Sequence, residues 1–329
     1  MLITMKIVLI MILCIFVSFI LGIILIPYLK RKKNNQVLSV YLERTHSSKS
    51  KTPTMGGLIF ILPPILIMII LILLGKIELS YNLFIVLFTF FSYGLIGFID
   101  DYLIIKRHNN NGLSESSKLF LQIIIATIIF YLFLRGGNEP LLWIHTLNIK
   151  INIGWLYGIF ILIVLLSSSN AVNLTDGLDG LAGGLSVISF FTLGIITLNT
   201  GWLEGYIEIT LFIFSLIGSL ISFLLFNSHP AKIFMGDTGS LALGASMGVI
   251  AILTRHEVLL IIIGIVFVIE TMTCIIQRIY YKFTKKRIFP MTPIHHTFEK
   301  MMPEVEVVKI FWLIGLIGSL LALLFGVWI

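Results

Sequence analysis

Charged side chains are scarce in this sequence. Asp, Glu, Lys and Arg make up 12% of its 329 residues, 58% are hydrophobic, and the mean hydropathy is +1.05. A typical soluble domain has roughly 25% charged residues, so this composition excludes a soluble protein. The shortage of cysteine excludes a disulfide framework or a Cys-ligated zinc site, because Cys14 and Cys274 lie in separate apolar segments. What remains is a chain that crosses a membrane several times.

Long apolar runs divide the chain into about ten predicted membrane spans. A membrane-crossing helix needs about 20 apolar residues, and lipid offers backbone groups no partner outside a helix or a closed barrel. The first span lacks a small-x-small cleavage site and is expected to be a retained anchor. The sequence predicts a single all-α domain over 1–329, with spans near 7–27, 57–74, 82–105, 118–134, 154–170, 180–199, 207–226, 239–253, 258–281 and 308–328.

Basic side chains are distributed unevenly between the connections. Lys and Arg in short connections favour the cytoplasmic side, and 18 of the 23 fall at 28–56, 102–118, 227–238 and 278–309. Both termini are therefore predicted to lie outside. Attraction to anionic lipid explains such basic loops without any further function. It does not explain the acids that lie among them.

The connection at 135–153 is the longest on the predicted outer side. Its alternating apolar residues predict a short hairpin or a strand on the membrane surface. The sequence shows no internal repeat and no matched pair of broken helices, so it gives little support to a transporter with inverted repeats. A lipid flippase or ion-coupled transporter stays as a distant alternative. Its acids are expected near the bilayer midplane, whereas these lie at the ends of spans.

Acids near hydrocarbon are costly and usually mark function. Asp100 and Asp101 end the third span, where a paired acid suits a metal or a proton acceptor. A solvated helix end is an equally good explanation of that pair. Asp237 precedes an apolar helix, whose first N–H groups favour anions, and could help to organise a metal and a phosphate. Phe234 could stack on a flat ring or simply dip into the membrane interface.

A second polar segment, NLTDGLDG at 173–180, separates the fifth and sixth spans. Asn173, Asp176 and Asp179 recur every three to four residues, so they would share one face of a helical turn. Gly177 allows a ligand to approach the backbone closely. A helix cap would use one Asp, and two acids between apolar spans are hard to explain as structure alone.

The remaining polar segments suit phosphate. His295 and His296 are adjacent in the long basic connection before the last span, and imidazoles can ligate a metal or hold phosphate oxygens. Two adjacent histidines alone are a weak signal. Lys51 and Thr54 precede a Gly-Gly pair at the start of the second span, a phosphate-compatible but unspecific combination.

These segments resemble, in content and order, the polyprenyl-phosphate N-acetylhexosamine-1-phosphate transferases. The resemblance covers essentially the whole chain, and the long motifs are similar to those of the branch that uses an N-acetylmuramoyl-pentapeptide donor. It implies ten spans in a bacterial plasma membrane, with the active site facing the cytoplasm. The motifs are TPTMGG at 52–57, DD at 100–101, NLTDGLDGLAGG at 173–184, FMGDTGSLALG at 234–244 and PIHH at 293–296.

The resemblance also implies a reaction. Phospho-N-acetylmuramoyl-pentapeptide would pass from its UDP-linked donor to undecaprenyl phosphate, giving lipid I and UMP for peptidoglycan, with Mg²⁺ as cofactor. Such phosphoryl transfer needs charge neutralisation and positioning more than covalent chemistry. Membrane lipids and a second copy of the chain, in a homodimer, are the other implied partners, and nucleic acid is not one.

By the same resemblance, the motif residues receive roles. Asp237 is expected to bind Mg²⁺, and Asp100 to deprotonate or orient the lipid phosphate with Asp101 beside it. Phe234 would stack on uracil. The other expected contacts to the nucleotide, its diphosphate or the lipid phosphate come from Thr54, Lys118, Asn173, Asp176, Gly177, Asp179, His295 and His296.

One departure from the family pattern is Thr297, which stands where the family usually has a third consecutive histidine. A hydroxyl donates a hydrogen bond but carries no charge, so a role that needs a third imidazole is in doubt. A sister transferase that uses UDP-N-acetylglucosamine stays as the nearer alternative. Direct attack by the lipid phosphate and a covalent aspartyl intermediate would use the same residues, and we expect direct attack.

Overall fold

The protein is described by a computed structural model that covers residues 3–31, 52–107, 112–144 and 149–327. Lys51, part of one predicted segment, lies outside these ranges. Within them helices form all the regular structure apart from one hairpin, which confirms the all-α prediction. The elements are α1 (Ile3–Arg31), α2 (Leu58–Leu73), α3 (Tyr81–Arg107), α4 (Glu115–Arg135), β1 (Leu141–Ile144), β2 (Ile149–Asn152), α5 (Leu156–Thr175), α6 (Leu181–Leu198), α7 (Tyr206–Asn227), α8 (Gly236–Thr254), α9 (Glu257–Ile263), α10 (Ile265–Thr284), α11 (His295–Glu299) and α12 (Glu304–Val327).

Eight of the described helices are long and apolar enough to cross a membrane, namely α1, α3, α4, α5, α6, α7, α8 and α12. The chain is thus a polytopic membrane protein. α2 is apolar but has only 16 residues. The ninth predicted span, 258–281, is wrong as a single straight helix, because α9 and α10 meet at 87° around Gly264. Glycine is a poor helix former, and here it lies at the break.

Helices α7 and α8 form the centre of the bundle. They are the most deeply buried of the spans, while α1, α4 and α12 expose most of their apolar side chains. α8 packs along both α3 and α5, and α7 packs against α1 and α6. Exposed apolar helix faces on the outside of such a bundle suit a lipid environment, where no polar surface is required.

Polar side chains inside the bundle bond mostly to their own helices. The hydroxyls of Thr89, Thr175 and Thr254 donate to the carbonyls of Ile85, Ala171 and Ile250 at 2.7 to 2.8 Å. Each Thr thereby satisfies its hydroxyl four residues back along the helix. The interior therefore accommodates these polar side chains without water.

The hairpin expected in 135–153 is confirmed. β1 and β2 are antiparallel, with Leu141 opposite Asn152. Arg255, just after α8, donates from Nη1 to the Leu141 carbonyl and from Nη2 to the Glu139 carbonyl, both at 2.8 Å. The hairpin is thus attached to one end of α8, while Asp237 lies at the other. The 19 residues of α8 separate these two ends by roughly 28 Å at 1.5 Å per residue.

Candidate active site

The ends of four helices bring five predicted residues together. Lys118 Nζ, at the start of α4, lies 2.6 Å from Asp237 Oδ2 and 3.0 Å from Asp100 Oδ2. Asn173, near the end of α5, donates from Nδ2 to Asp237 Oδ1 at 2.7 Å. Asp101 accepts from the Asp237 backbone N–H at 3.2 Å. We call Asp100, Asp101, Lys118, Asn173 and Asp237 the carboxylate cluster.

Asp100 and Asp101 point to different partners, because successive helical residues are about 100° apart. Asp100 accepts from the Leu113 backbone N–H at 2.6 Å and faces Lys118. Asp101 accepts from the Thr238 N–H at 3.0 Å and the Thr238 hydroxyl at 2.6 Å. Asp101 therefore binds the free N–H groups of the first turn of α8, a favourable place for an anion.

Gly97 explains how α3 reaches the start of α8. A Cβ at this position would overlap the backbone carbonyl of Asp237. A residue without a side chain is therefore required for the two helices to approach this closely. The contact fixes Asp237 against the end of α3, one turn before the Asp pair.

Two predicted motifs lie side by side at the same end of the bundle. Phe234 donates from its N–H to the Pro53 carbonyl at 2.9 Å and accepts from Gly56 N–H at 2.8 Å. Thr54, on this segment, is buried beside Gly236, and Phe234 is half-buried. The pairing places TPTMGG and FMGD next to the carboxylate cluster.

Asp179 belongs to a different group of side chains. Its Oδ2 accepts from the Ala231 N–H at 3.0 Å and lies 3.1 Å from His229 Nδ1. Its backbone N–H donates to Glu304 Oε1 at 2.7 Å. These bonds join the 176–180 turn, the 228–235 connection and the start of α12. Asp176 directly follows α5 and is half-buried.

The predicted histidine pair is divided between two environments. His295 is fully buried, with Nδ1 3.1 Å from Glu270 Oε2, and burial lowers the pKa of His295 despite the nearby carboxylate. His296 Nδ1 lies 3.2 Å from Glu299 Oε2, and the His296 side chain borders a cavity of about 1340 Å³. His296 can therefore meet a ligand in the cavity, whereas the expectation that His295 holds phosphate oxygens does not fit its full burial.

Thr297 has a structural role in the connection before α11. Its hydroxyl donates to the Met291 carbonyl at 2.7 Å and accepts from the Met291 N–H at 3.2 Å. Both bonds close the 291–297 loop around the cavity. A hydroxyl that bonds in this way to the backbone of a nearby residue stabilises the loop and needs no charge.

Sequence reasoning missed His229 and three further side chains near these groups. Ser240 accepts from Asn173 Nδ2 at 2.9 Å, Glu270 contacts His295, and Glu304 contacts Asp179. A signal for Glu270 was available, because an acid inside an apolar span is rare and usually functional. Ser240 and Glu304 had no distinctive pattern.

Two groups could hold a metal. In the described ranges, Asp179, His229 and Glu304 place their potential ligand atoms within 4.8 Å of one another. Mg²⁺ prefers oxygen ligands, and an imidazole with carboxylates suits a transition metal better. The carboxylate oxygens of Asp237 and Asp100, which face each other across Lys118, fit Mg²⁺ better. The group of Asp179, His229 and Glu304 already has a structural explanation, because the Ala231 and Asp179 N–H groups donate to its carboxylates and so connect separate chain segments.

Together, the fold and the carboxylate cluster define an integral membrane protein with a phosphate-compatible and metal-compatible site at one end of its helices. The family described as "Glycosyl transferase family 4" matches residues 83–255, and the phospho-N-acetylmuramoyl-pentapeptide-transferase signature 1 matches residues 49–61. A phospho-N-acetylmuramoyl-pentapeptide-transferase of Geobacillus sp. (strain WCH70) is 42% identical over 97% of this chain and 99% of the relative.

A second relative gives the same result. The phospho-N-acetylmuramoyl-pentapeptide-transferase of Bacillus subtilis (strain 168) is 42% identical, and the match covers 95% of each chain. That of Halalkalibacterium halodurans is also 42% identical, over 97% of this chain and 98% of the relative. The chain belongs to the phospho-N-acetylmuramoyl-pentapeptide-transferase family, which confirms the resemblance found in its motifs.

Proposed function

We propose that this protein, acting as a single domain, transfers phospho-N-acetylmuramoyl-pentapeptide from its UDP-linked donor to undecaprenyl phosphate, forming lipid I and UMP. The observation that carries the proposal is the 42% identity along nearly the full length of relatives that bear this name. The carboxylate cluster supports it, because it supplies the charged groups that phosphoryl transfer needs. A bacterial plasma membrane, a cytoplasmic active face and a homodimer complete the proposal.

We assign the metal to Asp237. Mg²⁺ bound there would neutralise charge that develops on the donor diphosphate. Asn173 holds Asp237 Oδ1, and the first turn of α8 is held by Asp101, so the carboxylate is fixed from two sides. Asp101 then acts by positioning Asp237, since its own carboxylate is buried and engaged with α8.

Asp100 and Lys118 are assigned to the lipid phosphate. Asp100 deprotonates or orients the attacking phosphate oxygen, and Lys118 offers a cation to phosphate oxygens when they replace the carboxylates as its partners. Lys118 and Asp237 are partly exposed, with 27% and 24% of their side chains accessible, so a substrate can reach both. Asp100, Asp237 and Lys118 already hold each other in place before substrate binds, which reduces the rearrangement of these side chains during the reaction.

The donor is assigned to the surrounding loops. Phe234 stacks on uracil from the edge of the paired motifs, and Thr54 lies beside Gly236 at the same edge. Asp176, Gly177 and Asp179 form the turn that faces the nucleotide. His296, at the cavity, holds phosphate oxygens, and the cavity takes the donor beyond its diphosphate.

We favour direct attack of the lipid phosphate on the donor, because a deprotonated and aligned phosphate is already a competent nucleophile. The test uses donor that is radiolabelled in its sugar phosphate. With both substrates and Mg²⁺, label should pass into a lipid-extractable product. Label that accumulates covalently on the protein without lipid acceptor would refute direct attack. No lipid-extractable label from folded protein would refute the transferase itself.

A further inference from the structure

Glu270 and His295 form a buried pair that the proposed reaction does not use. Both side chains are fully buried. Glu270 Oε2 lies 3.1 Å from His295 Nδ1 and accepts from the His295 backbone N–H at 3.4 Å. One carboxylate oxygen thus contacts the ring and the backbone of the same residue, at the start of α11.

The pair is costly as architecture alone. Among the described residues, Glu270 Oε1 and both ring nitrogens of His295 are buried without a hydrogen-bond partner, so the 3.1 Å approach of Glu270 Oε2 to Nδ1 is a close contact outside hydrogen-bond geometry. A buried carboxylate and unpaired ring nitrogens each carry a desolvation cost, which a single close contact does not offset. Unsatisfied groups of this kind require an explanation.

The ring of His295 touches the turn that follows α5. A Cβ on Gly177 would overlap Nε2 and Cε1 of His295, so the Nε2 end of the ring lies directly against the Gly177 backbone. Gly177 itself is exposed at the surface of the site. On its other side, the His295 ring centroid is 4.2 Å from that of His296, which borders the cavity.

We propose that Glu270 is a positioning residue, which holds the His295 ring against Gly177 and thereby sets the 176–179 turn and the His296 ring. Its effect on turnover rests on the proposed transferase function. A carboxylate oxygen 3.1 Å from Nδ1 favours a proton on that nitrogen by charge, which leaves the Nε2 lone pair facing Gly177. Glu270 touches no substrate and acts only through His295.

The test is a matched pair of substitutions at one buried position. Glu270→Gln keeps the shape and an acceptor oxygen, whereas Glu270→Met keeps a similar volume and removes the acceptor. Thr273→Val, one turn further along α10, is the control for a buried polar change: the Thr273 hydroxyl donates to the Glu270 backbone carbonyl, so this substitution removes no bond to the Glu270 carboxylate. For each purified variant we would measure the thermal midpoint, kcat and donor KM. The tautomer of His295 is read from its ring ¹⁵N resonances, assigned with a His295→Gln variant.

We expect kcat of Glu270→Met to fall by roughly 10²-fold, as it does when a site group is displaced. Its thermal midpoint should not change. The His295 ring ¹⁵N resonances should shift away from those of the Nδ1-protonated tautomer. Glu270→Gln and Thr273→Val should stay within about tenfold of the parent. Equal kcat in the Met and Gln variants, or unchanged His295 resonances, would overturn the proposal. If Glu270→Met does not fold, Glu270→Asp replaces it, and an unchanged His295 resonance and kcat there would equally overturn it.

The resonances also separate this inference from the proposed function. If the parent protein released no UMP but Glu270→Met still shifted His295, the positioning role would stand and the transferase function would fall. If the parent released UMP but the His295 resonances did not change in Glu270→Met, the transferase function would stand and the positioning role would fall.

Discussion

Lys118 joins the two acids on which the proposed chemistry depends. Its ammonium lies 3.0 Å from Asp100 and 2.6 Å from Asp237, and the Asp100 side chain is almost completely buried. Without the lysine, two carboxylates would face each other in a partly desolvated site. Like charges at such a distance disfavour ionisation of both groups. The lysine is therefore expected to matter for the arrangement of the site as well as for substrate binding.

We predict that Lys118→Met lowers kcat/KM by roughly 10²-fold or more, as for loss of a charge-stabilising group. Lys118→Arg keeps the charge with a different geometry and should lose less. Steady-state assays with both substrates, together with thermal midpoints, measure this. Turnover of Lys118→Met at the parent rate would contradict the assignment.

Asp237→Asn tests the metal assignment. The amide cannot supply an anionic ligand, so we predict no turnover at any Mg²⁺ concentration, while the protein remains folded in detergent. Glu208→Gln, in the first turn of α7, is the matched change at a distance from the carboxylate cluster. Near-normal activity of Asp237→Asn, or an equal loss in the control, would show that the assignment is wrong.

His295 makes stability depend on pH. Burial lowers its pKa below the value of about 6.5 in an unfolded chain, and neighbouring His296 acts in the same direction, while Glu270 and Glu299 oppose it. Below about pH 6.5 the unfolded chain therefore binds a proton that the folded chain resists. The stabilising contribution is present above this pH and is lost as pH falls.

Thermal midpoints of the parent and of His295→Gln, recorded from pH 8 to pH 5, measure the effect. We predict that the parent loses more stability on the acid side than the variant. Parallel curves would show that His295 does not contribute.

At the scale of elements, the contact between α3 and α8 positions the carboxylate cluster. Gly97 and Gly94 lie one turn apart on α3, and both face α8. A Cβ at Gly97 would overlap the Asp237 backbone, whereas one at Gly94 would meet the movable end of Ile61 at 3.1 Å. We predict that Gly97→Ala costs about 1–3 kcal/mol and most of the activity, as overpacking usually does.

Gly94→Ala, the matched control, should stay close to the parent in thermal midpoint and turnover. The comparison of these two quantities in both variants tests the packing argument. Equal effects of the two substitutions would contradict it.

The helices could largely be predicted from sequence, because each predicted span is an apolar run bounded by polar residues. The break at Gly264 could not, since apolar residues continue directly on both sides of it. The motifs gave Asp100, Asp101, Asn173 and Asp237, and the family resemblance added Lys118; the fold brings these five together. They could not show that Asp179 pairs with His229 and Glu304, or that His295 is buried behind His296, because those contacts depend on how distant segments pack.

At the scale of the whole molecule, the orientation in the membrane stays a prediction. The polar site and the hairpin lie at opposite ends of α8, so labelling one end locates the other. In a chain without Cys14 and Cys274, we predict that an impermeant maleimide added to intact cells labels Gly201→Cys, beside the hairpin, and spares Ser116→Cys, beside the site. Both positions are exposed. The reverse pattern would contradict termini on the outside.

The central claim is tested most directly by UMP release from purified protein given undecaprenyl phosphate, Mg²⁺ and one of two donors. We predict release with UDP-N-acetylmuramoyl-pentapeptide alone, abolished by EDTA and restored by Mg²⁺. Release with UDP-N-acetylglucosamine instead, or no release from protein shown to be folded, would contradict the account.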